Sequence, residues 1–169
     1  MARCRECGGR RLGFTRARAA VPYDEVVRRF VAFWKERGLR ALAETAALVV
    51  AERLPRPEAE VVAFVPADPS RRGARGYHPA EQLARALGAA WQLPCEPLLA
   101  RRGGTRQRGL SREERRRNVR HMFVARGRPC GRVVLVDDVY TTGATAHAAA
   151  AALGTHVDVV TFARTVRGS

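Results

Sequence analysis

The chain is almost without lysine: Lys35 stands alone, and every other cation among its 31 lysine and arginine residues is arginine. A Walker-type nucleotide site needs the loop G-x-x-x-x-G-K-[ST], and nothing of that form surrounds Lys35, so nucleotide hydrolysis of that kind is excluded. No apolar run approaches the roughly 20 residues that a membrane-spanning helix requires. The basic opening Met1-Ala2-Arg3-Cys4 leads into no apolar signal segment, and a cytoplasmic location is expected. Cysteine is scarce, with Cys4, Cys7, Cys95 and Cys130 only, and in a cytoplasmic chain these argue against disulfides. Cys95 and Cys130 read as packing residues. Acids are few as well, 16 against the 31 cations, which leaves a net charge of +15. That excess predicts attraction to polyanions: nucleic acid, phosphorylated substrates or acidic partner surfaces. A base composition favouring arginine codons would explain the choice of arginine over lysine, but not the excess of cations over acids.

What remains is an ordinary globular composition. A chain of 169 residues, 46% hydrophobic and 28% charged, makes one domain with a real core and at most a small appendage. Its organising stretch is Val133 to Thr145, VVLVDDVYTTGAT. Val133, Val134, Leu135 and Val136 run without polar alternation, which suits a strand of a parallel sheet covered on both faces. Ligands in such sheets sit at the carboxyl ends of strands, where Asp137 and Asp138 should emerge. Thr141, Thr142, Gly143, Ala144 and Thr145 then form a small-residue turn opening an alanine-rich helix. Amides at a helix N-terminus, a glycine permitting close approach and three hydroxyls make an anion cradle beside two acceptors. That combination suits a sugar phosphate. The same residues would also serve a purely structural strand, turn and helix with the acids capping nearby amides, although carboxylates at a buried strand end are costly without a partner.

Elsewhere, Thr15 to Pro22 reads as a short extended segment. Asp24 can cap a helix carrying Val26, Val27, Phe30, Val31 and Trp34 at helical spacing, with Gly38 ending it. Its aromatics Phe30, Phe33 and Trp34 read as core. A second helix, from about Leu39 to Leu54, places Leu42, Ala46 and Val49 on one face and stops before Pro55. Glu60 to Val65 is a second buried strand. The loop from Pro66 to Tyr77 is crowded with turn residues and arginines that could clamp a diphosphate, and a helix follows from His78 or Pro79 to Ala90. Arg101 to Arg120 is the densest basic segment, with a capping box at Ser111 and Glu114 that predicts a short helix over 112–117. It could be a solvated face, a lid over an anionic substrate or a track for a nucleic-acid backbone. Met122 to Ala125 and Val157 to Phe162 complete the strands. At the start, Cys4 and Cys7 form a C-x-x-C knuckle supplying two of the four ligands of a structural zinc, so it is a relic, a site shared across a dimer or a pair needing a distant cysteine.

The stretch VVLVDDVYTTGAT resembles the phosphoribosyl-pyrophosphate (PRPP) signature of type I phosphoribosyltransferases. The order of segments resembles the ComF/GntX family, the competence-associated branch of that group, through Tyr23, Val65-Pro66, Arg75-Gly76-Tyr77, Ala80-Glu81, Gln107, Gly109-Leu110-Ser111, Glu114-Arg115, Asn118-Val119, Phe123 and Ala163-Arg164. The likeness spans nearly the full length. It departs where the family's four-cysteine module is cut to one pair, and at Gly76-Tyr77-His78-Pro79, where the family tends to have Gly-Phe-Asn-Gln.

The resemblance implies an α/β fold: a type I phosphoribosyltransferase-like parallel sheet with flanking helices and a mobile hood loop, over residues 14–169, behind a truncated zinc-knuckle-like tail at residues 1–13. It implies ribose hydroxyls at Asp137 and Asp138, which would also hold Mg2+. The 5′-phosphate would rest on Thr141, Thr142, Gly143, Ala144 and Thr145, and the diphosphate on Ala67, Asp68, Arg71, Arg72 and Arg75. Thr105, Gln107, Arg115 and Asn118 would belong to the hood loop. The implied activity is Mg2+-dependent phosphoribosyl transfer to a nitrogenous acceptor. The alternative is a nucleic-acid-binding accessory of DNA uptake using the PRPP site as a sensor. Single-stranded DNA, a DNA-translocating helicase and a second copy of the chain are the implied partners beyond PRPP.

Overall fold

A computed structural model describes residues 12–37, 39–67, 77–102, 122–127, 129 and 131–166. The first strand, β1 (Arg16–Pro22), leads into α1 (Glu25–Arg37). The Asp24 carboxylate accepts from the Val27 amide at 2.9 Å, and Glu25 in the first turn with Lys35 and Arg37 in the last complements the helix dipole. α2 (Arg40–Arg53) follows, then β2 (Val61–Phe64). Helix α3 (Pro79–Trp91) is capped by the imidazole of His78 and begins with proline at a position needing no N–H donor. Next come two short strands, β3 (Leu99–Arg101) and β4 (Phe123–Ala125), and finally β5 (Val133–Tyr140), α4 (Ala144–Leu153) and β6 (Val157–Arg164).

Four strands form one sheet in the order β1-β6-β5-β2, all parallel. The α/β parallel sheet with flanking helices is therefore the fold found. Side chains alternate across it although nearly all are apolar. Val62, Phe64, Val134, Val136, Val160 and Phe162 enter the core beneath α1, α2 and α3. Val61, Ala63, Val133, Leu135, Val157 and Val159 enter the core on the other face, with α4, Leu99 and Phe123. Burial on both faces is why these strands read as continuous hydrophobic runs.

Three expectations need correcting. The buried face of α2 is Ala43, Ala46, Ala47 and Val50, with Leu42 and Val49 only partly covered, because alanines let this helix sit close to its neighbours. Phe33 is an exposed residue with the Arg37 guanidinium 5.6 Å from its ring centre, whereas Trp34 is wholly buried. Strand β5 does not stop at Val136 but runs through both acids to Tyr140, because β6 continues to pair with it through Arg164. Strand β3 was not foreseen, since three residues carry no measurable alternation. It pairs antiparallel with β4, Leu99 against Ala125, so these strands flank residues 103–121. The expected helix over 112–117, the expected hood loop and Gly38 lie outside the described residues.

Candidate functional site at the carboxyl ends of the central strands

Strands β2 and β5 are neighbours, yet the chain leaves β2 toward α3 on one face and β5 toward α4 on the other. Their carboxyl ends therefore diverge at a switch point, where α/β sheets bind ligands. β2 accompanies β5 only as far as Val136, whose carbonyl accepts from the Val65 amide at 3.0 Å. Beyond it, Asp137, Asp138, Val139 and Tyr140 have β6 alone among the described strands.

The acids occupy this opened stretch. Without β2 alongside, local groups take up the amides: Asp137 Oδ1 accepts from the Asp138 N–H at 2.9 Å, and Asp138 Oδ1 from the Val139 N–H at 2.7 Å. The regular alternation also breaks, with Val136 and Val139 both packing toward the α1–α3 side and Tyr140 toward the other. Withdrawal from water, then the charge of Asp138, pushes the Asp137 carboxyl well above the usual carboxylate range. The Asp138 amide and Lys35 oppose that shift without cancelling it.

Lys35, from the last turn of α1, places Nζ 2.5 Å from Asp138 Oδ2, and side-chain exposures of 31% and 13% put the pair at the margin of water. That turn is anchored on both sides. The Tyr77 hydroxyl donates to the Trp34 carbonyl at 2.6 Å, and the Trp34 indole N–H donates to Gln82 Oε1 at 3.3 Å. Sequence reasoning missed Lys35 as a site residue because a lone cation on a helix gives no sign of what faces it.

The turn expected to hold a phosphate follows directly. Gly143 is the N-cap of α4 at φ 72°, and it has no side chain with which to bond the helix's first amides. A methyl group there would overlap the Tyr140 hydroxyl, so glycine is required by both the backbone and its neighbour. Tyr140 is fixed in turn by an edge-on contact with Phe14 and by the Arg164 guanidinium 5.3 Å from its ring centre. Its hydroxyl is thus held beside the turn, a second feature the sequence did not announce. Thr141 and Thr142 are exposed, Thr145 is half-buried, and Thr142 Oγ1 lies 3.4 Å from the Ala144 amide.

Of the residues expected to hold a diphosphate, Ala67 is placed just beyond β2, with its amide directed at Nε2 of His78. The other ring nitrogen, Nδ1, lies 3.2 Å from the Glu81 amide. A neutral imidazole has one acceptor nitrogen, so His78 serves one of these two amides at a time. His78 also lines a cavity of about 410 Å³ with Phe64, Ala67, Leu99, Arg101 and Arg126, between the end of β2, α3 and the β3–β4 pair. Asp68, Arg71, Arg72, Arg75, Thr105, Gln107, Arg115, Asn118, Cys4, Cys7 and Cys130 lie outside the described residues. Cys95 packs against the core, and burial pushes its thiol up, as suits a packing residue.

Among the described residues, no three His, Cys, Asp or Glu side chains converge to hold a metal. The two carboxylates are hard oxygen donors of the kind Mg2+ takes from proteins when a phosphorylated ligand supplies the remainder, so the donor set fits that ion as a partial site. No described helix is long and apolar enough to cross a membrane.

The parallel α/β sheet, the paired acids at the end of its central strand and the glycine-hinged turn are the features through which the chain resembles phosphoribosyltransferases. Competence protein F of Haemophilus influenzae is 36% identical over 121 residues, covering 67% of this chain and 52% of that protein. Competence protein ComFC of Streptococcus pneumoniae is 28% identical over 129 residues, covering 76% of this chain and 57% of that protein. The chain is a homologue of these ComF competence proteins, and it spans about half the length of each. No family model matches the chain. Among solved structures, a glutamine PRPP amidotransferase from B. subtilis complexed with ADP and GMP is 24% identical with a TM-score of 0.46. An allosteric regulatory enzyme of purine biosynthesis is 21% identical with a TM-score of 0.43. Each similarity covers 71% of this chain and 25% of the other.

Proposed function

We propose that the chain binds PRPP with Mg2+ and transfers its phosphoribosyl group to a nitrogenous acceptor, releasing diphosphate. The observation that carries this reading is the junction of Asp137 and Asp138 with the Gly143 turn, where β2 and β5 part. The turn from Thr141 to Thr145 receives the 5′-phosphate through hydroxyls and α4's first amides. The acids accept hydrogen bonds from the ribose hydroxyls and face the positive charge that develops at C1 as its bond to diphosphate breaks and a C–N bond forms. Ala67 begins the loop whose Asp68, Arg71, Arg72 and Arg75 take the diphosphate. A hood loop containing Thr105, Gln107, Arg115 and Asn118 covers the reactants and excludes water. Magnesium bound at the acids and ligand oxygens would offset the charge of the departing diphosphate.

Calorimetry with PRPP and Mg2+ tests the site. The wild-type chain is expected to take up one equivalent and the Asp137→Asn/Asp138→Asn variant none; equal binding by both sinks the assignment. Diphosphate release with a panel of nitrogenous acceptors then separates an enzyme from a binder.

A second reading, a nucleic-acid-handling accessory of DNA uptake that senses PRPP, is favoured by the net charge of +15 and by relatives named as competence proteins. It requires single-stranded DNA affinity that falls steeply with salt and weakens when arginines between Arg101 and Arg120 are replaced. Absence of binding at low salt removes it.

A further inference from the structure

The acidic pair already has a cation. In a chain where all other cationic side chains are arginine, the single lysine stands against Asp138, with Nζ 2.5 Å from Oδ2. The chemical difference between the two cations matters here. A guanidinium grips a carboxylate bidentately through a rigid fork, whereas an ammonium is a compact charge on a flexible four-carbon stem that makes and releases a single contact. The α1 turn beneath that stem is pinned through Trp34 to Tyr77 and Gln82, so the helix is held while the lysine's outer arm, 31% exposed, keeps a path to water. The Lys35 ammonium occupies Asp138 Oδ2, an oxygen that a ribose hydroxyl or a metal ion would need, and one carboxylate oxygen cannot serve all of them at full strength.

We propose that Lys35 is the resident counter-cation of the acid pair, neutralising Asp138 in the ligand-free protein and swinging out when a vicinal diol with its metal-bound diphosphate takes the carboxylates. The inference rests on the PRPP reading of the site and adds to it the residue that sets ligand affinity. Lysine suits this exchange because its released charge returns to solvent without breaking a second contact, and because its departure frees Asp138 Oδ2 while Oδ1 keeps the Val139 amide.

The single lysine supplies its own readout. An amine-acylating reagent can label only Lys35 and the N-terminus, and peptide mass spectrometry separates the two. In the full chain, saturating PRPP with Mg2+, with occupancy confirmed by calorimetry in the same buffer, is expected to raise the Lys35 labelling rate several-fold. A fall or no change at confirmed occupancy overturns the displacement. Independently of any ligand, Asp138→Asn is expected to raise Lys35 labelling in the free protein; an unchanged rate in the folded variant overturns the resident pair. Should calorimetry show no uptake of PRPP, the ligand reading and the displacement fall together, while the Asp138→Asn labelling result still decides the pair. Lys35→Arg, with its fold checked by circular dichroism, is expected to bind PRPP several-fold more weakly because the fork locks the carboxylate. Equal or tighter binding counts against the exchange.

Discussion

Residues Val133–Val136 and Asp137–Tyr140 are successive halves of one strand, and they live in different surroundings. The first half has β2 on one edge and β6 on the other, with a core on each face, and its four side chains are at most 1% exposed. The second half keeps β6 but has lost β2, its amides turn to local carboxylates, and it holds a carboxyl that burial disfavours as an anion. Shielding on every side is what gives a strand its stability; an open edge gives a ligand access to its acids. The unfavourable half is held by the favourable one, because a continuous backbone cannot relax at Asp137 without disturbing the ladder at Val136.

The sheltered half is most vulnerable at Leu135, which is wholly buried between β2 and β6. Leu135→Ala is expected to lower stability by about 2–5 kcal/mol in denaturant titrations, through lost burial and an unfilled cavity. A loss below about 1 kcal/mol would show that the first half is not the support inferred here.

Next is the turn. Gly143→Ala forces a side chain into left-handed backbone and against the Tyr140 hydroxyl, at a cost of about 1–3 kcal/mol. PRPP binding should weaken by tenfold or more, about 1.4 kcal/mol or above, and a variant that binds PRPP as wild type refutes the phosphate role of the turn.

The smallest effect has the opposite sign. Asp137 has a folded-state pKa above that of the unfolded chain, so the folded state holds its proton more tightly. That favours folding at low pH, and the advantage is lost as pH rises from the ordinary carboxylate value, about 3.9, through the raised folded value. Above that value the ionised carboxylate is a net cost. Asp137→Asn is therefore expected to raise the unfolding temperature by a few degrees near pH 8 and to leave it little changed near pH 4, while abolishing ligand binding. Equal shifts at both pH values would contradict the sign of the Asp137 shift.

The readable parts of this chain were the ones whose signals are local. The apolar runs Glu60–Val65 and Val133–Val136, the Asp24 cap and Pro79 all carry their signals within a few residues, and strands or helices begin where those signals put them, although β5 continues past its apolar run to Tyr140. Strand β3 was missed because Leu99–Arg101 is defined by its partner β4, across residues 103–121, and not by any pattern of its own. The departure at His78 was visible in sequence without a meaning; the fold gives it one, a ring facing both the Ala67 and Glu81 amides.

Sequence alone determined the order strand, acids, turn and helix, since each depends on neighbours in the chain: branched apolar residues for the strand, glycine at a positive φ for the turn, alanines for the helix. Tertiary structure decided the rest. It ended β2 at the point where the acids begin, set Tyr140 against Gly143, and brought Lys35 from α1 onto Asp138. The first and last of these are encounters between segments distant in sequence, and the energy of a buried charge depends on what meets it after folding.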